Sequence, residues 1–319
     1  MNVSKSISGI SRRRFLAAAG LTTSAAVLAR RSLLAAKEGI VPTMVNAAAK
    51  AKITVQPIRR NISVLEGSGG NIAVLTGRDG KLLVDAGFSV SRPAISDALA
   101  SINRDPIKHL INTHWHTDHT DGNAWLHSAG AAITAHENTR KRLAVDTRVE
   151  GWDYTFPAVP KGALPATVFA TDHEMRRNNT RIVLKYYLPA HTDSDISVTF
   201  TDADVVHVGD TWWNGVYPFI DYSTGGSIDG SIRAAQANLA TLTDSTIIIP
   251  GHGPVGRRAE LAEFRDMLVA IRDNVAALKK QGRSLTETIA AKPTAAFDAK
   301  WGNFLTTPAA FTGLVYMGV

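Results

Sequence analysis

The stretch of the chain that most restricts its fold is residues 113–123, which read Thr-His-Trp-His-Thr-Asp-His-Thr-Asp-Gly-Asn. Three histidines and a carboxylate fall within six positions, directly after a short apolar segment that predicts a buried strand. Burying these side chains is costly unless they have a partner, and a divalent cation is the natural one. Since side chains two apart in an extended segment point the same way, His114 and His116 can reach one ion while Asp118 and His119 reach a second.

Two complete metal sites need more ligands than this stretch provides. Three later segments each place one histidine or aspartate just past an apolar strand and beside glycine or proline, namely at His191, Asp210 and His252. Strand ends of this kind meet at one edge of a sheet, which would bring the distant segments together. The chain has no cysteine, so every metal ligand must be histidine or a carboxylate.

The rest of the chain alternates between strand and helix patterns, which predicts a mixed α/β fold. An Asp-Gly pair at Asp79 and Gly80 predicts a hairpin between strands at 72–76 and 82–85. Apolar residues at steps of three and four predict one long amphipathic helix over 261–278. The other predicted helices are 93–102, 137–145 and 232–242, and the other predicted strands are 107–112, 181–188, 196–201, 205–208 and 246–249.

Taken in order, Asp85, His114-x-His116-x-Asp118-His119, His191, Asp210 and His252 resemble the motifs of the metallo-β-lactamase fold superfamily of metal-dependent hydrolases. The resemblance covers about residues 53–270 and implies a four-layered αββα sandwich. It implies that His114, His116 and His191 bind the first metal ion. It likewise implies that Asp118, His119 and His252 bind the second, that Asp210 bridges both, and that Asp85 orients a ligand histidine.

The resemblance also implies two zinc ions per chain, with a hydroxide between them as the nucleophile and Asp118 as the catalytic proton carrier. The expected substrate is a small molecule with an ester, lactone, thioester or β-lactam-like amide carbonyl. A β-lactamase proper is an alternative, although such enzymes generally carry cysteine or serine where this chain has Asp210. A persulfide dioxygenase of the same fold, with a single iron, is a second alternative.

Other residues of the chain have two possible roles. Aromatic side chains close to the ligands form either a pocket wall or part of the core: Trp115, Trp212, Trp213, Tyr217 and Phe219. Asp121, Asp193 and Asp195 are predicted to support the ligands or to cap loops. The remaining histidines, His109, His127, His136, His173 and His207, are predicted to be structural or exposed.

The formal net charge of +7 belongs to the N-terminus. Residues 1–49 carry seven basic side chains against one acidic, whereas the remainder carries 28 basic and 27 acidic. Arg12, Arg13 and Arg14 precede an uncharged stretch at 15–29, which looks like a twin-arginine export signal. That stretch is shorter than the roughly 20 apolar residues that a membrane span needs. A basic tail or a short helix on a membrane surface is the alternative.

The predicted organisation is therefore an export signal at 1–49 and a single domain with C-terminal helices at 50–319. A cut before Lys50 follows an Ala-x-Ala pattern at Ala47 and Ala49, and a second possible cut follows Ala35 and Ala36. The twin-arginine machinery would deliver the folded protein to the periplasm or outside the cell, with no stable membrane anchor after cleavage. The near-neutral domain gives no electrostatic support for nucleic-acid binding.

Overall fold

The computed structural model describes residues 39–319, and the strands in that part of the chain form two large sheets and one small pair. The first sheet is antiparallel through its first four strands and parallel from the fourth onward. Its strands, in spatial order, are β1 (Thr54–Arg59), β2 (Ile62–Glu66), β3 (Ile72–Leu75), β4 (Lys81–Val84), β5 (Ile107–Ile111), β6 (Ala132–His136) and β9 (Thr167–Phe169). The small pair is β7 (Thr147–Val149) and β8 (Tyr154–Phe156).

The second sheet follows in the chain and packs face to face on the first. Its strands, in spatial order, are β10 (Asp172–Arg177), β11 (Thr180–Tyr186), β12 (Ile196–Phe200), β13 (Val205–His207) and β14 (Ile247–Ile249). Neighbours are antiparallel except β13 and β14, which are parallel. The strands β11, β13 and β14 therefore end at the same edge of this sheet.

The central strands are buried on both faces, which explains why they are apolar without interruption. In β3, Ala73 and Leu75 face the second sheet, whereas Ile72 and Val74 face a layer of helices. All four side chains are almost completely buried. The period of two that marks a one-sided strand is absent here because each side of the strand meets its own apolar layer.

Helices cover the outer face of each sheet. The helices are α1 (Ile40–Ala48), α2 (Arg92–Ile102), α3 (Thr117–Thr120), α4 (Asn123–Ser128), α5 (Glu137–Leu143), α6 (Ile228–Thr241), α7 (Arg258–Lys280), α8 (Leu285–Ala290), α9 (Asp298–Trp301) and α10 (Pro308–Gly318). The first sheet is covered by α2 and α4 through side chains such as Leu99 and Leu126. The second sheet is covered by α6 and α7, with α10 packed on α7.

The expected αββα sandwich is confirmed. The predicted hairpin joins β3 to β4, and the long predicted helix is α7, which extends a few residues further at each end. The helix α10 falls among the predicted C-terminal helices, which were given no bounds, and the strands β1 and β2 were not predicted. In β1, Pro57 lies on an edge strand, where its missing N–H costs no hydrogen bond within the sheet.

Most of the predicted export signal, residues 1–38, lies outside the described residues. Its last part forms α1, so the predicted cut before Lys50 falls just after a helix. That cut and the domain boundary stay predictions. Within residues 39–319, no helix combines the length and the apolar character that crossing a membrane requires.

Candidate metal centre

The predicted ligands lie at one edge of the sandwich, where strands from both sheets end. The chain leaves β5 through His114 and His116 and then enters α3, which carries Asp118 and His119. The loops after β11, β13 and β14 supply the other three ligands, His191, Asp210 and His252. Strands of both sheets thus end at the same place, which brings together ligand segments that are more than 100 residues apart in the chain.

The structure brings all seven side chains together in two groups. One group is His114, His116, His191 and Asp210, the other is Asp118, His119 and His252, and in each group the potential ligand atoms lie within 4.8 Å of one another. Asp210 lies between the groups. Its Oδ2 is 3.4 Å from His191 Nε2 and 3.3 Å from His252 Nε2, while its Oδ1 is 3.0 Å from His119 Nε2.

The unpaired atoms in this cluster fit cations. All seven side chains are buried. His114 Nε2, His119 Nε2, His252 Nε2 and Asp210 Oδ1 have no hydrogen-bond partner among the described residues, although buried polar atoms in proteins nearly always have one. A set of nitrogen and oxygen donors with free lone pairs that face a common centre is what a pair of divalent ions requires. The ligand roles of the individual residues remain predictions.

The ring nitrogens that face away from the centre are held by the protein. His119 Nδ1 is 2.8 Å from Asp85 Oδ2, and His191 Nδ1 is 2.8 Å from the carbonyl oxygen of Phe219. His114 Nδ1 is 3.1 Å from the hydroxyl of Thr113, which itself donates to Asp85. Each of these partners can accept the proton of the outer nitrogen, which leaves the inner nitrogen of the neutral ring as the atom that can bind a metal ion.

Asp85, which the resemblance predicts to orient a ligand histidine, contacts both His119 and Thr113. Its carboxylate accepts hydrogen bonds from the N–H and the hydroxyl of Thr113, both at 2.7 Å, and from His119. Its backbone has φ of 67°, a left-handed conformation that aspartate tolerates better than most residues. The three hydrogen bonds hold this turn and fix how the chain leaves β5.

Asp221 contacts the predicted ligand His116, and the sequence did not indicate this contact. Its Oδ2 is 3.1 Å from His116 Nε2 and accepts a 2.6 Å hydrogen bond from Thr224 Oγ1. With its proton on Nε2, His116 turns Nδ1 toward His191 Nε2, 2.9 Å away. Both facing nitrogens then present lone pairs, an arrangement that a shared cation stabilises. Asp221 lies in a loop, away from any strand end, so the pattern that revealed the ligands could not reveal it.

The charges of the cluster also favour cations. Burial lowers the pKa of His114 well below its ordinary value, and His119 lowers it further, so His114 is neutral and able to ligate. Burial would raise the pKa of Asp210, but the imidazoles of His252 and His119 hold it well below its usual range. Burial likewise lowers the pKa of His252, but Asp210 and Asp118 outweigh burial and raise it to about 9. The carboxylates thus attract protons that a metal ion would displace on binding.

Two glycines let the backbone approach the cluster closely. A Cβ at Gly70 would overlap the ring of His119, and a Cβ at Gly251 would overlap Asp210 Oδ1. Any other residue at Gly70 or Gly251 would therefore displace a predicted ligand with its side chain.

The other polar residues near the ligands shape the loops. Asp195 accepts hydrogen bonds from the N–H groups of His191 and Thr192, and Asp121 accepts from the N–H and the hydroxyl of Ser89. Asp193 pairs with Arg142 at 2.6 Å. The five histidines outside the ligand set contact other groups: for example, His207 Nε2 lies 3.0 Å from the carbonyl oxygen of Asn71, and His136 stacks on Tyr186.

The aromatic side chains divide between the two roles that the sequence allowed. Trp213 and Phe219 line the space beside Asp118, Asp210 and His252, and Trp152 joins them. Trp115, Trp212 and Tyr217 are instead completely buried in the core. Trp152 was not singled out in the sequence, because it lies in a short connection between β7 and β8, far from every ligand motif.

An αββα sandwich with histidine and aspartate ligands at one edge defines a class of metal-dependent enzymes. The sequence profile of the metallo-beta-lactamase superfamily matches residues 65–252, and the chain belongs to this superfamily. The predicted family is therefore confirmed, and with it the prediction that the chain belongs to a superfamily with hydrolytic members.

A hydroxyacylglutathione hydrolase of Polaromonas sp. (strain JS666 / ATCC BAA-500) is 29% identical over 158 residues, which are 49% of this chain and 52% of that protein. This chain thus spans about half the length of the curated relative that it matches. Among solved structures, the stereoselective inverting sec-alkylsulfatase Pisa1 from Pseudomonas sp. has a TM-score of 0.61 at 15% identity, over 86% of this chain and 52% of its own. A metallo-beta-lactamase from Pontibacter korlensis has a TM-score of 0.54 at 16% identity, over 68% and 98%. At these identities the two structures show the fold alone.

Replacing Asp221→Asn should weaken metal binding by about tenfold to hundredfold, because the carboxylate that fixes the His116 ring loses its charge. Competition against a chromophoric chelator measures the affinity of each site. Asp229→Asn, an exposed carboxylate of the same region paired with Arg272, is the matched control and should bind metal as the parent protein does. Equal affinities in the two variants would show that Asp221 does not position His116.

Proposed function

We propose that this chain is an exported hydrolase that holds two zinc ions and cleaves a carbonyl substrate, either an ester, a lactone, a thioester or a β-lactam-like amide. The observation that carries the proposal is the convergence of seven buried side chains of ligand type, and four of their inner atoms lack hydrogen-bond partners among the described residues: His114 Nε2, His119 Nε2, His252 Nε2 and Asp210 Oδ1. The outer ring nitrogens of four histidines are at the same time held by the protein, which is how metal-ligating histidines are oriented.

The donor set supports zinc. Five imidazoles and two carboxylates, with no sulfur, suit a borderline cation better than magnesium or calcium, which prefer oxygen ligands. Two zinc ions held here would polarise the scissile carbonyl and lower the pKa of bound water from about 16 to about 7.

Asp118 is the residue placed to move a proton. It lines the space beside the two ligand groups, and its Oδ2 lies 3.2 Å from His252 Nε2. Burial would raise the pKa of this carboxyl, but His119 and His252 keep it below its ordinary value, so the group is ionised at neutral pH and able to accept a proton. It can then pass the proton from the attacking water to the leaving group.

The names of the relatives support hydrolysis but differ in substrate: an acylglutathione, a secondary alkyl sulfate and a β-lactam. Residues beside the ligands support an uncharged substrate group. Trp152, Trp213 and Phe219 surround the approach to the ligands, and the lining contains no lysine or arginine among the described residues. Away from the metal ions, a negatively charged substrate group would find no basic side chain in this lining.

The zinc-loaded protein, purified after export of the full chain, should hydrolyse at least one of a set of aryl esters, lactones and glutathione thioesters. A β-lactam and a secondary alkyl sulfate complete the set, and an oxygen electrode tests for persulfide oxidation. The activity should disappear with a chelator and return with zinc. No turnover with two metal ions bound would reject the proposal, and oxygen uptake with persulfide would replace it.

In the same assays, Asp118→Asn should lower kcat by at least a hundredfold, because the amide cannot accept the proton. Metal analysis should still find zinc in the group of His114, His116 and His191. Asp121→Asn, three residues further on and bonded to Ser89, is the control and should keep its activity. A variant at Asp118 that retains its kcat would remove this residue from the mechanism.

Export through the twin-arginine route is tested by replacing Arg12, Arg13 and Arg14 with lysine. The charge is unchanged, but the arginine pair that the route reads is lost, so the protein should stay in the cytoplasm as the uncut precursor. Immunoblots of cell fractions measure the distribution. Unchanged export would exclude the twin-arginine route.

A further inference from the structure

A small pocket lies over the metal centre, and its outer wall comes from two segments that carry no predicted ligand. The floor of the pocket is formed by Asp118, Asp210 and His252, and its sides by Trp152, Trp213 and Phe219. The outer wall consists of Ile40 and Met44 of α1 together with Leu305 and Thr306, which precede α10. We call this space the apolar pocket.

The apolar pocket is nearly closed. The space open to water inside it is about 20 Å³, which is room for about one water molecule. Any substrate group that reaches the floor must therefore touch the outer wall or push it aside. Ile40 and Met44 consequently face whatever the site binds.

The position of α1 is determined by packing. Val41 is buried in the same apolar cluster as Trp152 and Phe219, and Ile40 and Met44 pack against that cluster from the same side of the helix. Val41 and Met44 lie one and four positions after Ile40, a spacing that places all three side chains on one helical face. At the other end, Ser91 Oγ donates a 2.9 Å hydrogen bond to the carbonyl oxygen of Ala48, which is itself buried. The helix is therefore anchored at both ends.

The chemistry of the wall indicates what it accepts. Its side chains are aliphatic or aromatic apart from Thr306, and the charged groups among the described lining residues belong to the floor. A charged substrate group held against this wall, away from the ligand cluster, would lose its hydration without gaining a partner. A short apolar group loses nothing and gains contact area.

We propose that Ile40 and Met44 determine the substrate specificity of this enzyme, by closing the apolar pocket around a short, uncharged acyl group next to the scissile bond. The proposal rests on the proposed function for the identity of that bond. Substrates with long or charged acyl groups are excluded by the wall, because each additional methylene that does not fit lowers binding by about tenfold or more.

A consequence concerns the export signal. A cut before Lys50 would remove α1 together with Ile40 and Met44, and it would leave the pocket without half of its outer wall. The working enzyme must therefore keep α1, so that the cut lies before Ile40. The second possible cut, after Ala35 and Ala36, meets this condition.

The test measures binding of straight-chain alkanoates, from propionate to decanoate, to the zinc-loaded exported protein by calorimetry. These carboxylates are the acyl products of ester cleavage and need no turnover. Met44→Ala should raise the affinity for octanoate at least tenfold, and Met44→Phe should lower the affinity for butanoate by a similar factor. Val45→Ala, a half-buried aliphatic residue of the same helix that does not line the pocket, should keep the parental dependence on chain length.

Opposite shifts for alanine and phenylalanine would support the proposal, since a purely structural role of Met44 would weaken binding in both variants. The same dependence on chain length in all four proteins, or a loss of binding in both Met44 variants, would overturn it. An intact mass that starts at Lys50 would overturn it as well. If none of the substrates in the hydrolysis set is turned over while the alkanoate shifts are observed, the proposed function fails and the assignment of the pocket stands.

Discussion

Burial of the ligand cluster is the constraint on which the rest of this structure depends. Five imidazoles and two carboxylates are buried, and a buried polar group without a partner is costly. The cost is limited in two ways: the inner atoms face a common centre that cations can occupy, and the outer atoms bind to Asp85, Asp221, Thr113 and the Phe219 carbonyl. Carboxylates therefore hold the loops at this edge through hydrogen bonds, and Asp85 does so from a left-handed backbone conformation.

The two sheets provide what such a cluster needs, which is a rigid frame on both sides. The ligands follow β5 in one sheet and β11, β13 and β14 in the other, and the two sheets are joined by a continuous apolar layer. Because that layer is closely packed, the strand ends cannot shift independently of one another. Short strands of three to five residues suffice here: β13 and β14 need only deliver Asp210 and His252 to the edge.

The sequence predicted those parts of the site that repeat a local signal. Each ligand segment follows an apolar run, and each ligand has glycine, proline or another ligand within two positions, so the strand ends could be recognised one at a time. Asp221 and Trp152 lie in irregular connections and act through contacts with His116 and Phe219 that no local pattern records. The helix α1 was missed for a different reason. It is short and uncharged, like the apolar part of the predicted export signal that precedes it, and packing against the core is what distinguishes the two.

The position of α1 follows from two opposing requirements. The ligand cluster must be shielded from water, yet in the proposed function a substrate must reach Asp118 and the metal ions that the cluster would hold. The sheets and the ligand loops cannot open without moving the ligands themselves, since they carry both the ligands and the residues that orient them. The outer wall of the apolar pocket carries neither, because Ile40, Met44 and Leu305 belong to segments that hold no predicted ligand. Substitutions in these segments can therefore change how well the ligand cluster is shielded from water and which substrates enter, without moving the predicted ligands. A substitution of Met44 is therefore expected to change which substrates enter the pocket, whereas a substitution of Asp221 is expected to change metal binding through His116.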